Sequence, residues 1–314
     1  MKTLFQDLRT SNNLFAAWRH VKRSALNSKN GDIRGKAAAF EHHHHSEIRR
    51  LQTELREGRF TFDDVEGVLK DKKKRLAQKK DPRPIAIGTI RNKVVQRAIL
   101  QVLQPRKLIN VNDVHSKFQP QYDLRLGSLN DVNTSRYGVG GLMKPYGGVK
   151  PAIESVLSAM SLGHKYFFRS DIKAFFTKIP TNTIVQKIRE ETKDDKLTEL
   201  FAEGLEVHLA NAEEIAGYTH LFPKNGIGVA QGSSLSAFAG NVLLFDFDQQ
   251  LNNLGVSAIR YIDDVLITAP SETALHEAIR FAKQQLNEFG LSLYAPQKGS
   301  DKAEQGECAN SFGF

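Results

Sequence analysis

Two β-rich runs, residues 257–262 and 265–268, meet at a pair of acids within Tyr261-Ile262-Asp263-Asp264. β-Branched and aromatic residues flanking two turn-forming carboxylates predict a tight antiparallel hairpin with Asp263 and Asp264 at its tip. Taken alone, such a tip is an ordinary turn. A third acid changes its meaning. Residues 165–171 form another β-type run, Tyr166-Phe167-Phe168-Arg169-Ser170, and it ends in Asp171. If the two strands are neighbours in one sheet, Asp171 and Asp263 converge on one point. Clustered carboxylates repel one another unless cations neutralise them. Hard divalent ions take oxygen ligands, and two of them about 3.5–4 Å apart serve in-line phosphoryl transfer. In that chemistry positioning and charge neutralisation do most of the catalysis.

The remaining elements place this hairpin in an α+β fold. Helices are predicted over 14–26, 47–56 and 62–77, a short strand at Ile85-Ala86-Ile87, and helices over 94–103 and 149–160. Residues 110–148 are polar and rich in Gly, Asn and Ser, and read as loops and short strands. Further helices are expected from Thr181 or Asn182 to about 191, over 196–209, and from Ser233 or Ser234 through 251. Ser271 is a good N-cap for a helix whose Leu275, Ala278, Ile279, Ala282 and Leu286 share one face, with Gly290 beyond its end. Residues 291–294 read as one more strand. Helices interleaved with hairpin-connected strands indicate packing around an antiparallel sheet.

Composition narrows the class. The 314 residues are 40% hydrophobic and 25% charged, which excludes wholesale disorder. No apolar run approaches the roughly 18 residues of a membrane span, and residues 1–7 lack the apolar stretch of a secretory signal. The single cysteine, Cys308, excludes an internal disulfide framework and a Cys-based zinc cluster. A cytoplasmic location and no membrane partner are therefore expected. The formal charge of +9 favours an anionic partner such as nucleic acid. Eight of the basic residues lie between 70 and 83, among them Lys72, Lys73 and Lys74. Such a run is either a solvated helix face or a contact to a nucleic-acid backbone. The four histidines at 42–45 cannot all face one ion from a helix and read as an exposed stretch.

Three motifs in order and at suitable spacing resemble motifs A, B and C of reverse transcriptases. They are Asp171 with Phe175-Phe176, then Gln231-Gly232-Ser233-Ser234-Leu235-Ser236, then Tyr261-Ile262-Asp263-Asp264. Arg83-Pro84-Ile85-Ala86-Ile87 with Arg91-Asn92-Lys93-Val94-Val95-Gln96 resembles the fingers motif of group II intron and retron enzymes. Ser135-Arg136-Tyr137-Gly138-Val139 resembles their next motif. Gly290-Leu291-Ser292-Leu293 through Lys298 resembles motif D, and Ser311-Phe312-Gly313-Phe314 resembles the start of motif E. The likeness spans about residues 14–314.

This resemblance implies a right-hand polymerase with fingers and palm, the antiparallel palm sheet packed on helices. An N-terminal helical extension of the fingers would take 1–80, fingers 81–160 and palm 161–314, with a fingers-like helical insertion about 181–222. Asp171 and Asp263 would bind two Mg²⁺ ions, with Mn²⁺ as a substitute. Asp264 would be an accessory acid, and the Ile172 carbonyl would join the metal shell. Phe176 falls at the position that excludes a ribose 2′-OH and so selects dNTPs, unless it is simply a core aromatic. Gln231 and Gly232 would lie under the nascent pair, while Arg83, Arg91 and Lys93 would contact the triphosphate. Lys298 would protonate the departing pyrophosphate. Tyr261 and the Lys72–Lys74 run would touch nucleic acid.

The resemblance also has gaps. Motif B lacks the Gln-Gly-Gly and the proline typical of group II enzymes, and the proline retrons carry inside it. Gly138 is followed by Val139-Gly140-Gly141 where Phe-Arg-Pro is usual. Asn211-Ala212-Glu213-Glu214 lacks the histidine of the retron box. The pattern is closer to bacterial defence-associated, abortive-infection-like enzymes. It implies RNA-directed DNA synthesis from dNTPs in antiviral defence, on an RNA template such as a dedicated non-coding RNA. No thumb is visible, so a further C-terminal domain or a protein partner is expected to supply one. Template-independent or protein-primed synthesis by the same palm, and an idle RNA-binding protein of polymerase fold, remain the alternatives.

Overall fold

The computed structural model describes residues 2–112 and 117–308. Motif E at Ser311-Phe312-Gly313-Phe314 lies outside the described residues. The chain divides into two compact units. One comprises Met1–Pro105, Asp123–Gly127 and Thr181–Ser236, the other Arg106–Tyr122, Ser128–Pro180 and Ala237–Phe314.

The first unit is mostly helical. Its central helix, Ile90–Leu103, is buried on several sides through Val94, Val95, Ala98, Ile99 and Leu103. Helix Ser11–Leu26 packs against it with Leu14, Ala17, Trp18, Val21 and Ala25, the i, i+3, i+4, i+7 spacing of one apolar face. Helices Gly31–His42 and His44–Glu57 divide the histidine run between them. His42, His43 and His45 are exposed there, and His44 is bonded to the Glu41 carbonyl. The helix expected over 62–77 does not form. Its place is taken by strand β1 (Glu66–Lys70), a turn at Asp71 with φ +56°, and a six-residue helix, Lys72–Ala77. β1 pairs antiparallel with β2 (Arg83–Ile87), Lys70 opposite Arg83. Apolar spacing at 62–69 suits either structure, and the available pairing partner decides for the strand. Gly67 fits the choice, since a Cβ there would run into Ile215, Leu209 and Phe222. The helix expected to reach 209 ends at Leu205, because residues 208 and 210 bond instead to both backbone groups of Val65.

The second unit is built on a sheet. β3 (Arg106–Leu108) and β4 (Phe118–Pro120) form a small outlying hairpin. β5 (Tyr166–Asp171), β6 (Ser257–Tyr261), β7 (Asp264–Ala269) and β8 (Ala303–Glu307) form an antiparallel sheet in the order β6-β7-β5-β8. Helix Glu272–Glu288, capped by the Ser271 hydroxyl, packs against β5 and β7 with its Leu275, Ala278, Ile279, Ala282 and Leu286 face. Helix Ser236–Asn252 is apolar nearly all round and correspondingly buried, through Phe238, Val242, Leu244, Phe247 and Leu251. Each such fully buried side chain contributes about 1.5–3 kcal/mol. The strand expected at 291–294 is reduced to a single bridge between Leu293 and Ile172. The architecture is α+β, as expected.

Candidate active site

The β5–β7 register sets Asp171 directly opposite Asp264, and the β6–β7 register closes the hairpin with Tyr261 opposite Asp264. The turn is therefore Ile262-Asp263, and Asp264 already belongs to the strand. Ile262 has φ +62°, a left-handed conformation that costs a β-branched residue free energy. The Asp263 carbonyl accepts a 2.7 Å hydrogen bond from the Ile172 amide, which ties the turn to the end of β5. Side chains directly opposite on an antiparallel pair have Cβ atoms about 4.5–5.5 Å apart, and like charges there are destabilising.

Asp263 and Asp264 show that strain. Burial of its carboxyl, its hydrogen bond with Asp171 and repulsion from Asp171 and Asp263 together push Asp264 up to about 7. Asp263 is also raised, first by burial and then by Asp171. A lysine answers them directly. The Lys302 ammonium pairs with Asp171 Oδ2, and its own carbonyl accepts from the Asp171 amide at 2.9 Å. The hydrogen bond to Asp171 raises Lys302 above the ordinary lysine value.

Among the described residues, no three or more His, Cys, Asp or Glu side chains form a ready-made metal cage. Mg²⁺ is usually held by one or two carboxylates together with substrate phosphates, so the test is whether these acids supply such donors. Asp171 and Asp264 face one another, Asp263 adjoins them, and all three are oxygen donors that repel without a cation. The donor set fits.

The other expected residues of this unit lie on or next to the same strands. Ile172 is buried and Lys173 lies over the Tyr294 ring at 5.1 Å. Phe175 is 2% exposed, and a Cβ on Gly240 would press on its ring, so Phe175 is the core aromatic. Phe176 is left half-buried beside it, ring centroids 5.4 Å apart. Tyr261 is partly exposed.

Lys298 departs from expectation. It is exposed and lines a cavity with Tyr166, at the opposite end of β5 from Asp171. Five residues of strand separate those ends, roughly 17 Å. The turn at 297–300 is closed by hydrogen bonds from Ser300 to Gln297 and from Gln297 to Ala303, and the Lys298 side chain borders the cavity beside Tyr166. Lys302 is the lysine that reaches them.

The remaining expected residues belong to the first unit. The Ala86 amide donates to the Gln231 carbonyl at 3.2 Å, so the Gln231-Gly232 turn lies along β2. Gly232 has φ +110°, a conformation open to glycine. Arg83 is exposed at the start of β2. Arg91 is engaged elsewhere, 2.8 Å from Glu54 and stacked on Phe60, so its charge is satisfied within the helical core. Lys93 is half-buried, and burial lowers its pKa. Asn211, head of the incomplete retron-like box, bonds both backbone groups of Gly67 and serves to fasten β1. Lys72, Lys73 and Lys74 lie on a short exposed helix, Lys72 over the Tyr218 ring at 4.6 Å.

Residues 69–299 match the family described as reverse transcriptase (RNA-dependent DNA polymerase). The chain belongs to that family. It is 24% identical over 174 residues to the "Uncharacterized 91 kDa protein in cob intron" of Schizosaccharomyces pombe, covering 55% of this chain and 17% of that protein. Two solved Cas6-RT-Cas1–Cas2 complexes, one of them partial, each align at 19% identity with TM-score 0.46. They cover 91% of this chain and 42% (partial) or 26% of theirs. Apo telomerase from Candida tropicalis, truncated from its C-terminal domain, aligns at 13% identity with TM-score 0.48, over 79% of this chain and 50% of that one. This reverse-transcriptase-family chain thus spans half or less of the length of these relatives. Among its described residues no helix is long and apolar enough to cross a membrane.

Sequence reasoning passed over Arg260, Asp248, Lys302 and Asn241. Arg260 had a signal, being a charge inside the mainly apolar run 256–262, whereas Asp248 shares 242–251 with Asp246 and two glutamines. A charge placed among core residues asks for a buried partner.

Proposed function

We propose that this chain is an RNA-directed DNA polymerase that extends a primer with dNTPs on an RNA template, using two Mg²⁺ ions. The observation that carries the reading is the placement of Asp171 opposite Asp264, with Asp263 in the adjoining turn. Asp171 and Asp263 would hold the two ions, with the Ile172 carbonyl beside them and Asp264 as accessory acid. The bound ions would supply charge neutralisation for in-line attack of a primer hydroxyl on a nucleoside triphosphate. Phe176, half-buried beside the core aromatic Phe175, would bar the ribose 2′-OH. Arg83 would bind the triphosphate, Gln231 and Gly232 would support the template pair, and Tyr261 would meet the primer end. In this reading the carboxylate-bearing sheet is palm and the unit with β1 and β2 is fingers. The motif likeness to group II intron, retron and defence-associated enzymes supports a bacterial cytoplasmic setting, an antiviral role and a structured RNA partner.

The purified chain, supplied with a DNA primer on an RNA template, dNTPs and Mg²⁺, should extend the primer in template-directed order. Extension without regard to template sequence would replace this reading with untemplated synthesis, and no incorporation with any dNTP would overturn it. Sequencing the nucleic acid that copurifies identifies the template.

A further inference from the structure

The carboxylate turn is held from behind by a buried polar clamp. Arg260 is 2% exposed and Asp248 4%. Arg260 Nε and Nη2 donate to the two Asp248 carboxylate oxygens at 3.0 and 2.6 Å. The third guanidinium nitrogen, Nη1, donates to the carbonyl of Ile262 at 2.9 Å. Ile262 is the left-handed residue of the turn, immediately before Asp263. One planar group thus joins helix Ser236–Asn252 to the backbone that aims the acids. Only arginine presents donors in a fork of this kind.

Residues 137–141 back this clamp as a strap. The Arg260 amide donates to the Tyr137 carbonyl at 2.7 Å, and the Val139 amide donates to the Arg260 carbonyl at 2.9 Å. A Cβ on Gly138 would stand 2.6 Å from Arg260 Nη2 and from Asp248 Oδ2, and one on Gly140 would collide with the Ile262 amide nitrogen. The buried Asn241 amide fixes the strap by donating to the Gly140 carbonyl at 2.7 Å. A strained turn persists only where its surroundings over-determine it, and here they do.

We infer that Arg260 and Asp248 are positioning residues for catalysis: the guanidinium holds the Ile262 carbonyl, and so the turn that aims the Asp263 carboxylate. The inference deepens the polymerase reading and rests on it. Neither residue touches substrate. Their effect passes through the turn, so their loss should lower turnover and leave nucleotide affinity nearly unchanged.

Removing both charges together separates positioning from stability, because replacing a buried ion pair with apolar residues of similar volume is often neutral or stabilising. Arg260→Met with Asp248→Leu should therefore melt near the wild-type temperature. Loss of supporting contacts of this kind costs about 10–100-fold in activity, and that fall is expected in kcat, with KM for dTTP held within about threefold. Arg260→Lys keeps a charge for Asp248 but loses the planar fork that spans Asp248 and the Ile262 carbonyl, and should show the same loss in kcat. Rates are measured per folded molecule, with dTTP on poly(rA)–oligo(dT) and Mg²⁺. If kcat per folded molecule stays within twofold of wild type in either variant, or a loss appears only as a smaller folded fraction, the clamp has no catalytic role. An inactive wild type would instead sink the polymerase reading.

Discussion

Two β-hairpins carry clustered like charge, and they handle it in opposite ways. The β6–β7 hairpin places Asp263 and Asp264 beside Asp171, with Lys302, the Arg260–Asp248 pair and two glycines packed around and behind them. The β1–β2 hairpin carries Lys72, Lys73, Lys74 and Arg75 on a tip helix with no buried residue. Two like charges about 4 Å apart near a protein surface repel by about 4 kcal/mol at an effective dielectric of about 20. Solvated lysines spread out and let salt screen them. Crowded carboxylates cannot, so they need a scaffold and a cation. The first hairpin is held as a fixed point, and the second leaves its charges open to solvent.

The contrast breaks most sharply at the acids. Asp263→Ala with Asp264→Ala should lower incorporation by at least about 10³-fold, the loss of several kcal/mol of charge stabilisation in the transition state. Its melting temperature should hold or rise, because the repulsion is relieved. Single-nucleotide extension and a thermal melt on the same preparation check both halves. Turnover near wild type would remove the reason for treating this hairpin as special.

The scaffold comes next. Gly140→Ala forces a methyl against the Ile262 backbone, and overpacking of that kind costs about 1–3 kcal/mol. Turnover should fall with it, by about tenfold or more, if a displaced turn misaims Asp263. Lys73→Ala at the other hairpin should change stability by less than about 0.5 kcal/mol, since it touches no packed group. Melting curves of the two variants side by side measure the difference in rigidity directly.

The same contrast explains which features are legible in the sequence alone. β5, β6 and β7 were legible because their signals are local, apolar or β-branched runs ending at acids, and the Ser271 cap because it needs only its own helix. The stretch 62–77 was not, because its apolar spacing fits a helix until β2 supplies a partner. Lys298 and Lys302 sit four residues apart in one polar segment, and only the pairing of β8 with β5 decides which reaches Asp171. The clamp needed Arg260 and Asp248 to be recognised as mutual partners, and only Arg260 was conspicuous as a charge among apolar neighbours. Arg91 resembled a triphosphate ligand because nothing local announces Glu54.

Sugar choice sharpens the picture at the acidic site. Phe175 carries the packing there and Phe176 stands half-exposed, so Phe176→Ala should leave the melting temperature within a few degrees. The ratio of rNTP to dNTP incorporation should rise about tenfold or more, the size of effect that one steric contact in a pocket provides. Matched extension assays with dCTP and CTP report it. An unchanged ratio in a folded, active variant would make Phe176 a second packing residue.

The smallest effect belongs to the lysine hairpin. Its charges are exposed, so they should act on RNA through phosphates alone. For single strands each neutralised phosphate contributes about 0.7 to the slope of log affinity against log salt, and about 0.9 for a duplex. Replacing Lys72, Lys73 and Lys74 by Ala should therefore flatten that slope by about 2–3 if all three make contacts. Lys72 is already stacked on Tyr218, so Lys73→Ala with Lys74→Ala should account for most of the change. Weakening should be similar on RNAs of unrelated sequence. At saturating primer–template, single-nucleotide turnover should stay near wild type, because no group at the acids has moved. Binding isotherms at four or five salt concentrations decide it. An unchanged slope and affinity would assign the run to a solvated face, and the second hairpin would lose its claim on a partner.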